Sequence, residues 1–183
     1  MLQFKKRSEM DNKKKILIFG RDGQGKSTFA EKYCKENNLK PVVLDIEDTN
    51  YTELPLITGF DLSSDIKSYR SISRVLKELK DKNDIDTVII DGVDSLIESF
   101  ISSANGMKCY ADRSNTFLKF IRDCTSINKN LIFIGQAPVD LDYYKADENP
   151  NKCIIKLNAM VNEKYRCENK DGKFEVITEK MRR

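Results

Sequence analysis

The sequence predicts an α/β fold, in which a mostly parallel β-sheet is flanked by helices and followed by an antiparallel hairpin near the C-terminus. Between residues 15 and 135, short apolar runs rich in β-branched residues alternate with longer amphipathic stretches. This alternation is typical of strands that are buried on both faces and joined by helices. A glycine-rich loop connects the first apolar run to the first helical stretch. Beyond residue 153 the pattern becomes alternating, as in antiparallel strands.

The predicted elements follow one another in a regular order. The apolar runs that predict parallel strands are 15–19, 41–48, 86–91 and 131–135. The stretches with apolar residues on one helical face are 26–37, 65–81, 94–102 and 115–127. We interpret 52–63 and 104–113 as loops. After residue 152 we predict strands at 153–161, 163–167 and 174–178, with a turn at 169–172.

The chain of 183 residues suits one domain with a sizeable core. We expect a basic N-terminal arm at 1–13 and a single domain at 14–183. The arm is either a tail or a segment that docks on a neighbouring subunit through Leu2 and Phe4. It is charged rather than signal-like, and no apolar run is long enough to span a bilayer. We therefore expect a cytoplasmic protein without membrane contact.

The composition limits the chemistry that the chain can perform. Charged residues make up 33% of the sequence but the net charge is only +3, so a nucleic acid would have to meet local basic patches. The five cysteines form no C-x-x-C pair and histidine is absent, which argues against a zinc site. Without histidine the usual base of serine and cysteine nucleophiles is missing. Acid–base chemistry therefore falls to carboxylates.

The loop between the first strand and the first helix matches G-x-x-x-x-G-K-[ST], the Walker A pattern. Glycines let successive backbone N–H groups point at phosphate oxygens, the lysine reaches the β- and γ-phosphates, and the serine hydroxyl is a ligand for Mg²⁺. We therefore predict that the chain binds ATP with Mg²⁺. The residues of the loop are Gly20, Arg21, Asp22, Gly23, Gln24, Gly25, Lys26 and Ser27.

Polar side chains stand at the ends of the other predicted strands, and strand ends face the ligand crevice in sheets of this kind. Glu47 follows the second strand and is a candidate to polarise an attacking water. Asp91 ends the third strand as a Walker B aspartate, which would hold Mg²⁺ beside Ser27. Asp94 is either a substitute for Asp91 or a helix cap. Gln136 ends the fourth strand, where an amide can sense the γ-phosphate.

Aromatic residues offer further candidate contacts. Tyr51 either stacks on the adenine ring or packs against the core. The polar stretch 138–152 is long for an inert connection and carries aromatic and basic residues that suit single-stranded DNA, although it also contains acidic residues. The candidate DNA-binding residues are Tyr143, Tyr144, Lys145 and Lys152.

In their order along the chain, these motifs resemble the core of the RecA family. The segment Gly20 to Thr28 is similar to its Walker A motif, which implies a nucleotide contact for Thr28 as well. Asp45-Ile46-Glu47 resembles the D-x-E at the end of its second strand, where the glutamate activates water. The stretch 131–136 resembles the strand whose terminal glutamine couples ATP to an adjoining DNA-binding loop. Gly92 stands where that family often has serine.

The resemblance also extends to the C-terminus and implies an assembly. Lys180 and Arg182 are similar to the basic pair that the family presents to ATP across a subunit interface, where an arginine finger stabilises charge in the transition state. In size and content the chain resembles the phage-encoded single-strand annealing ATPases of the Sak group. This implies a homo-oligomer, either a ring or a filament, with single-stranded DNA and a single-strand-binding protein as partners.

The sequence therefore predicts a RecA-like ATPase that binds single-stranded DNA and promotes annealing or recombination. The candidate catalytic residues are Glu47, Lys26, Gln136, Lys180 and Arg182. Two alternatives stay open at this point. One is a P-loop kinase that phosphorylates a small molecule or nucleotide, and the other is a binding module that nucleotide regulates without significant turnover.

Overall fold

The structure is a computed structural model that describes residues 13–47, 51, 53–145, 148 and 150–181. Within these ranges the strands form one seven-stranded sheet in the order β3-β2-β4-β5-β1-β6-β7. All neighbouring strands run parallel except β6 and β7, which pair antiparallel. The strands are β1 (Lys15–Gly20), β2 (Pro41–Asp45), β3 (Leu56–Ile57), β4 (Thr87–Asp91), β5 (Asn130–Gln136), β6 (Glu163–Lys170) and β7 (Lys173–Met181).

Helices cover both faces of this sheet. They are α1 (Lys26–Glu36), α2 (Asp65–Lys80), α3 (Val93–Ser99), α4 (Met107–Ser126) and α5 (Lys152–Met160). The strand β1 shows why both faces need covering, because its side chains alternate between two buried clusters. Ile16 and Ile18 belong to the cluster under α1, whereas Leu17 and Phe19 belong to the cluster under the other helices. The predicted α/β core, with a mostly parallel sheet, flanking helices and a C-terminal antiparallel hairpin, is confirmed.

Several local predictions were wrong. The stretch 153–161 was predicted to be a strand, but α5 covers most of it because Asn151 caps a helix whose buried residues are spaced as on one helical face. The predicted loop 104–113 contains the first two turns of α4, which begins at Met107. The predicted loop 52–63 includes the short strand β3, which pairs with β2 through Val43 and Leu44.

The hairpin β6–β7 packs beside β1 and turns as predicted. Its two-residue turn, Asp171 and Gly172, has positive φ at both positions, as a type I′ turn requires. Glycine and aspartate both tolerate that conformation. Because β6 runs parallel to β1, its carboxyl end lies at the same edge of the sheet as the carboxyl end of β1, next to the glycine-rich loop.

Some predictions fall on residues that the structure does not describe. The arm 1–13 lies almost entirely there, as do Arg182 and residues 48–50. Among the described residues, no helix is both long and apolar enough to cross a membrane.

Candidate nucleotide site

The glycine-rich loop leaves β1 at Gly20 and enters α1 at Lys26. Gly25 precedes the helix in a left-handed conformation, with φ of 77°. No side chain caps this helix end, and its first turn contains no acidic residue. In the part of the chain that the structure describes, no side chain caps the N–H groups of this first turn, and the positive end of the helix dipole points into the loop. This arrangement fits a bound phosphate chain.

The side chain of Lys26 lies across the mouth of the loop. Its Nζ donates to the carbonyl oxygen of Arg21 at 3.0 Å and to that of Gly20 at 3.3 Å. The carboxylate of Asp22 is 3.9 Å away but is almost fully exposed, so that ion pair adds little. The lysine ammonium is therefore held where the loop would surround a β- or γ-phosphate.

The two predicted magnesium ligands meet, although they are far apart in sequence. Ser27 Oγ donates to Asp91 Oδ2 at 3.0 Å, and Asp91 is only 3% exposed. A hydroxyl and a carboxylate are the oxygen donors that Mg²⁺ takes, and the ion needs few protein ligands because waters and phosphates complete its shell. The pair fits a nucleotide-bound Mg²⁺, even though the described residues contain no group of three or more acidic or cysteine side chains that could hold a metal ion by itself.

Tyr51 is placed differently from the predicted adenine stacking. Its hydroxyl donates to the same Asp91 oxygen at 2.5 Å, and its ring packs against the cluster under α1. Burial, followed by the charge of Asp91, raises the pKa of Tyr51 far above its ordinary value. The phenol therefore stays protonated and remains a donor. Of the two sequence alternatives for Tyr51, the structure supports packing, and it adds a hydrogen bond at the metal end of the site.

Glu47 lies just after the end of β2, and its side chain is exposed. Its carboxylate accepts a hydrogen bond from Ser95 Oγ, and its stem lies over Gly92. A Cβ added to Gly92 would come within 2.5 Å of Glu47 Cγ, and the φ of 87° at Gly92 also favours glycine. Gly92 therefore keeps room for Glu47, which explains a glycine at this position.

Gln136 and Asp94 link the end of β5 to the loop and to α3. The side chain of Gln136 donates to the Asp22 carboxylate, and its backbone N–H donates to Asp94 Oδ1 at 3.3 Å. Asp94 is not the N-cap of α3, because that position is Gly92. Burial raises the pKa of Asp94, and the nearby Glu47 raises it further. Neither interpretation of Asp94 from the sequence, as a substitute for Asp91 or as a helix cap, included this bridging role. The only feature of the sequence that pointed to it was the position of Asp94 shortly after Asp91.

The predicted DNA-binding residues lie on the segment that follows β5. Tyr143 is 56% exposed and stands edge-on to Tyr144, with ring centroids 5.6 Å apart. Tyr144 is half-buried and donates to the carbonyl oxygen of Pro138 at 2.9 Å. Lys145 and Lys152 are both exposed. The structure thus exposes Tyr143, Lys145 and Lys152 in the part of the chain that follows Gln136, and leaves Tyr144 half-buried.

The same segment is anchored to the sheet by a buried ion pair. Lys164 of β6 contacts Asp140, and both residues are almost fully buried. Asp142 is a second partner of Lys164, at 3.4 Å, but its side chain is 79% exposed. The start of the segment is therefore fixed, whereas its aromatic and basic side chains face solvent.

Lys180 contacts its own chain in the structure. Its Nζ donates to the carbonyl oxygens of Asn158 at 2.9 Å and Val161 at 2.8 Å, at the C-terminal end of α5. A cation at this helix end satisfies free carbonyl groups. To reach a neighbour's nucleotide, Lys180 would first have to give up these bonds.

A cleft of about 640 Å³ opens beside the glycine-rich loop. The loop, the turn after β5 and the hairpin form its walls. Their charged side chains are Arg21, Asp140, Asp142, Arg166, Glu168, Lys170 and Glu179. Arg166 is already paired, at 2.9 Å with Glu168 and at 2.7 Å with Glu179.

This chain matches a solved structure and a family model. A flagellar accessory protein, FlaH from Methanocaldococcus jannaschii, is a similar solved structure with a TM-score of 0.49 and 15% identity, over 92% of this chain and 78% of that chain. A search of curated proteins finds no match. The family model described as "AAA domain" matches residues 12–165, which is most of the chain. The chain therefore belongs to the AAA domain family, and its Walker A loop is that of a P-loop ATPase.

Proposed function

We propose that this ATPase couples ATP hydrolysis to binding of single-stranded DNA and promotes DNA annealing or recombination as a homo-oligomer. The finer function rests on the position of Gln136. This residue touches the Walker A loop through Asp22 and directly precedes the segment that carries the exposed tyrosines and lysines. A change at the γ-phosphate can therefore pass to the DNA-binding segment through a single side chain.

The positions of Lys26 and Glu47 each support a catalytic role. Lys26 holds the β- and γ-phosphates, and Glu47 orients the attacking water. A magnesium ion, when bound, would supply positive charge that offsets the charge of the phosphates. Ser27 and Asp91 are the residues that would hold the ion.

The charge that develops in the transition state also needs a cation from a neighbouring subunit. We assign this role to Arg182, because Lys180 is engaged by the end of α5 in its own chain. An Arg182→Ala protein should bind ATP normally and lose ~10³-fold or more in hydrolysis rate. Hydrolysis at the original rate would exclude a role for Arg182 in trans.

The DNA-coupling part of the proposal is tested by charge-matched double variants. We expect single-stranded DNA to stimulate ATP hydrolysis by the native chain. Lys145→Ala with Lys152→Ala should weaken DNA binding and lower the slope of log affinity against log salt by roughly 1.4, since each lost phosphate contact on a single strand counts for about 0.7. Lys77→Ala with Lys80→Ala, on the exposed side of α2, removes the same charge and should change neither quantity.

Equal losses in both double variants would mean that only net charge matters, and would contradict a DNA site on this segment. Nucleotide-dependent DNA binding without turnover would instead favour the regulated binding module. The cleft beside the loop is the observation that favours a kinase, because it could admit a small phosphate acceptor. Phosphate transfer that requires a small acceptor and ignores DNA would establish that alternative.

A further inference from the structure

Phe174 is an exposed aromatic residue that contacts the Walker A loop. It lies on β7, paired with Asn169 of β6, and is 63% exposed. Its ring lies against Gly25, the residue that precedes α1. A Cβ added to Gly25 would come within 2.9 Å of Phe174 Cδ1. Glycine at this position therefore allows the ring to lie directly over the loop backbone.

The order of the strands shows which end of a bound nucleotide Phe174 would meet. Asp91 on β4 and Gln136 on β5 lie on one side of β1, and the hairpin β6–β7 lies on the other. Ser27 and Asp91, the predicted magnesium ligands, mark where the γ-phosphate of a bound nucleotide would lie, which is on the β4 side of the loop. A triphosphate chain that starts there and crosses the loop leads the nucleoside towards the hairpin. The ring of Phe174 is on that side.

Tyr51 is not placed to stack on the base of a bound nucleotide. Its hydroxyl is hydrogen-bonded to Asp91, at the metal end of the site. Among the described residues, Phe174 is the exposed ring that contacts a glycine of the loop. It is carried by a strand pair with a tight two-residue turn rather than by a long loop, so its position is well defined. An aromatic face of this kind binds a planar base by stacking, which does not depend on the identity of the base.

We propose that Phe174 is the platform on which the nucleobase of the bound nucleotide stacks. This inference rests on the proposed nucleotide binding and adds the subsite for the base. Because stacking reads a ring face rather than hydrogen-bonding groups, the platform favours purines over pyrimidines through ring area and separates adenine from guanine weakly.

The test compares nucleotides with inorganic tripolyphosphate, which carries the phosphates but no base. Phe174→Ala should weaken binding of ATP and ADP roughly tenfold to a hundredfold and leave binding of tripolyphosphate unchanged. Phe174→Tyr, which keeps the aromatic face, should bind all three ligands as the native chain does. Equal losses for ATP and tripolyphosphate in Phe174→Ala would overturn the proposal, because Phe174 would then only support the loop.

A fluorescent variant gives a second readout. The native chain contains no tryptophan, so Phe174→Trp introduces a single reporter. Its emission should change on addition of ADP or ATP and not on addition of tripolyphosphate. Tyr110→Trp, on α4, is the control that responds to none of them. Emission that changes with protein concentration but not with nucleotide would overturn the platform in favour of a contact between two copies.

Failure of this inference is distinguishable from failure of the proposed function. If the native chain binds tripolyphosphate as tightly as it binds ATP, the base adds no affinity. That result would contradict the role of Phe174 and leave the proposed function untouched. A native chain that binds neither ATP nor tripolyphosphate contradicts nucleotide binding itself, and the platform with it.

Discussion

At the scale of single residues, one carboxylate oxygen connects the loop, the metal site and Tyr51. Asp91 Oδ2 accepts hydrogen bonds from both Ser27 and Tyr51. Asp91 is also a residue that would hold Mg²⁺, and the ion would then compete with these two donors for the carboxylate. The phenol of Tyr51, held protonated by burial, therefore opposes metal binding more than Ser27 does, since the serine hydroxyl is itself a metal ligand.

Tyr51→Phe should consequently bind Mg²⁺ together with nucleotide more readily. Loss of one hydrogen bond to a charged acceptor, worth about 1.5–3 kcal/mol, corresponds to a roughly tenfold to hundredfold lower Mg²⁺ concentration at half-saturation. The measurement is the affinity for a fluorescent ADP analogue as a function of Mg²⁺ concentration. Tyr69→Phe, which removes a hydroxyl bonded to Asp123 on α4, is the matched control. An unchanged or higher Mg²⁺ requirement in Tyr51→Phe would show that the phenol supports the metal site.

Asp94 gives a prediction about pH. Its folded-state pKa is raised above the ordinary 3.8, so its protonated form stabilises the fold at low pH. That contribution is lost as the pH rises through the folded-state pKa. Asp94→Asn stays neutral and can still accept the Gln136 N–H. It should therefore unfold at higher urea concentration than the native chain at pH 8, and the advantage should shrink towards pH 4.

Asp84→Asn, at an exposed site away from the loop, is the control for this series. The difference between Asp84→Asn and the native chain should stay small at every pH. If the advantage of Asp94→Asn were constant across pH, or grew in acid, the burial of Asp94 would not be the cause.

The sequence was informative at this scale wherever a residue sits at the end of a strand. Ser27 and Asp91 were predicted to meet, and they do, because the loop from β1 into α1 begins at the same edge of the sheet as the carboxyl end of β4. The positions of Tyr51 and Phe174 could not be predicted in the same way. Each depends on how a distant loop or hairpin packs against the Walker A loop, and local sequence does not encode that packing.

At the scale of elements, the errors have a common physical cause. The isoleucine pair in α5 has high strand propensity, but Asn151 caps a helix there and Cys153, Ile154 and Leu157 are buried on one face. Tertiary packing thus overrides local propensity. The start of α4 was missed because the local sequence there gives no helical signal at all. Its first turns are largely exposed and lack an apolar period, and they are tied to α3 by the ion pair between Arg113 and Glu98.

The anchor of the segment after β5 is testable at this scale. Asp140→Ala leaves the Lys164 ammonium buried without its buried partner and should lower the free energy of unfolding by about 3 kcal/mol or more. Asp142→Ala removes the exposed partner of the same lysine and should cost under about 1 kcal/mol. The measurement is urea denaturation. Combining Asp140→Ala with Lys164→Met should recover most of the loss, and equal costs for the two single variants would refute a buried anchor.

At the scale of the whole molecule, the order of the strands in the sheet brings the candidate site residues together in one place. It brings Glu47 after β2, Asp91 on β4 and Gln136 on β5 to the same edge as the Walker A loop between β1 and α1. The hairpin closes the other side of the loop through Phe174. The residues proposed to bind phosphate, to bind metal and to activate water are thus brought together by topology from segments that are distant in sequence.

The central claim, that these strand ends form one hydrolytic site, is tested most directly by single-turnover hydrolysis of ATP with Mg²⁺. Glu47→Gln keeps the size of the side chain but cannot act as a base, and Glu78→Gln on α2 is the control. The account predicts that the native chain and Glu78→Gln turn over ATP alike, whereas Glu47→Gln binds ATP with unchanged affinity and hydrolyses it roughly 10²-fold more slowly or worse. Hydrolysis by Glu47→Gln at the native rate would contradict it.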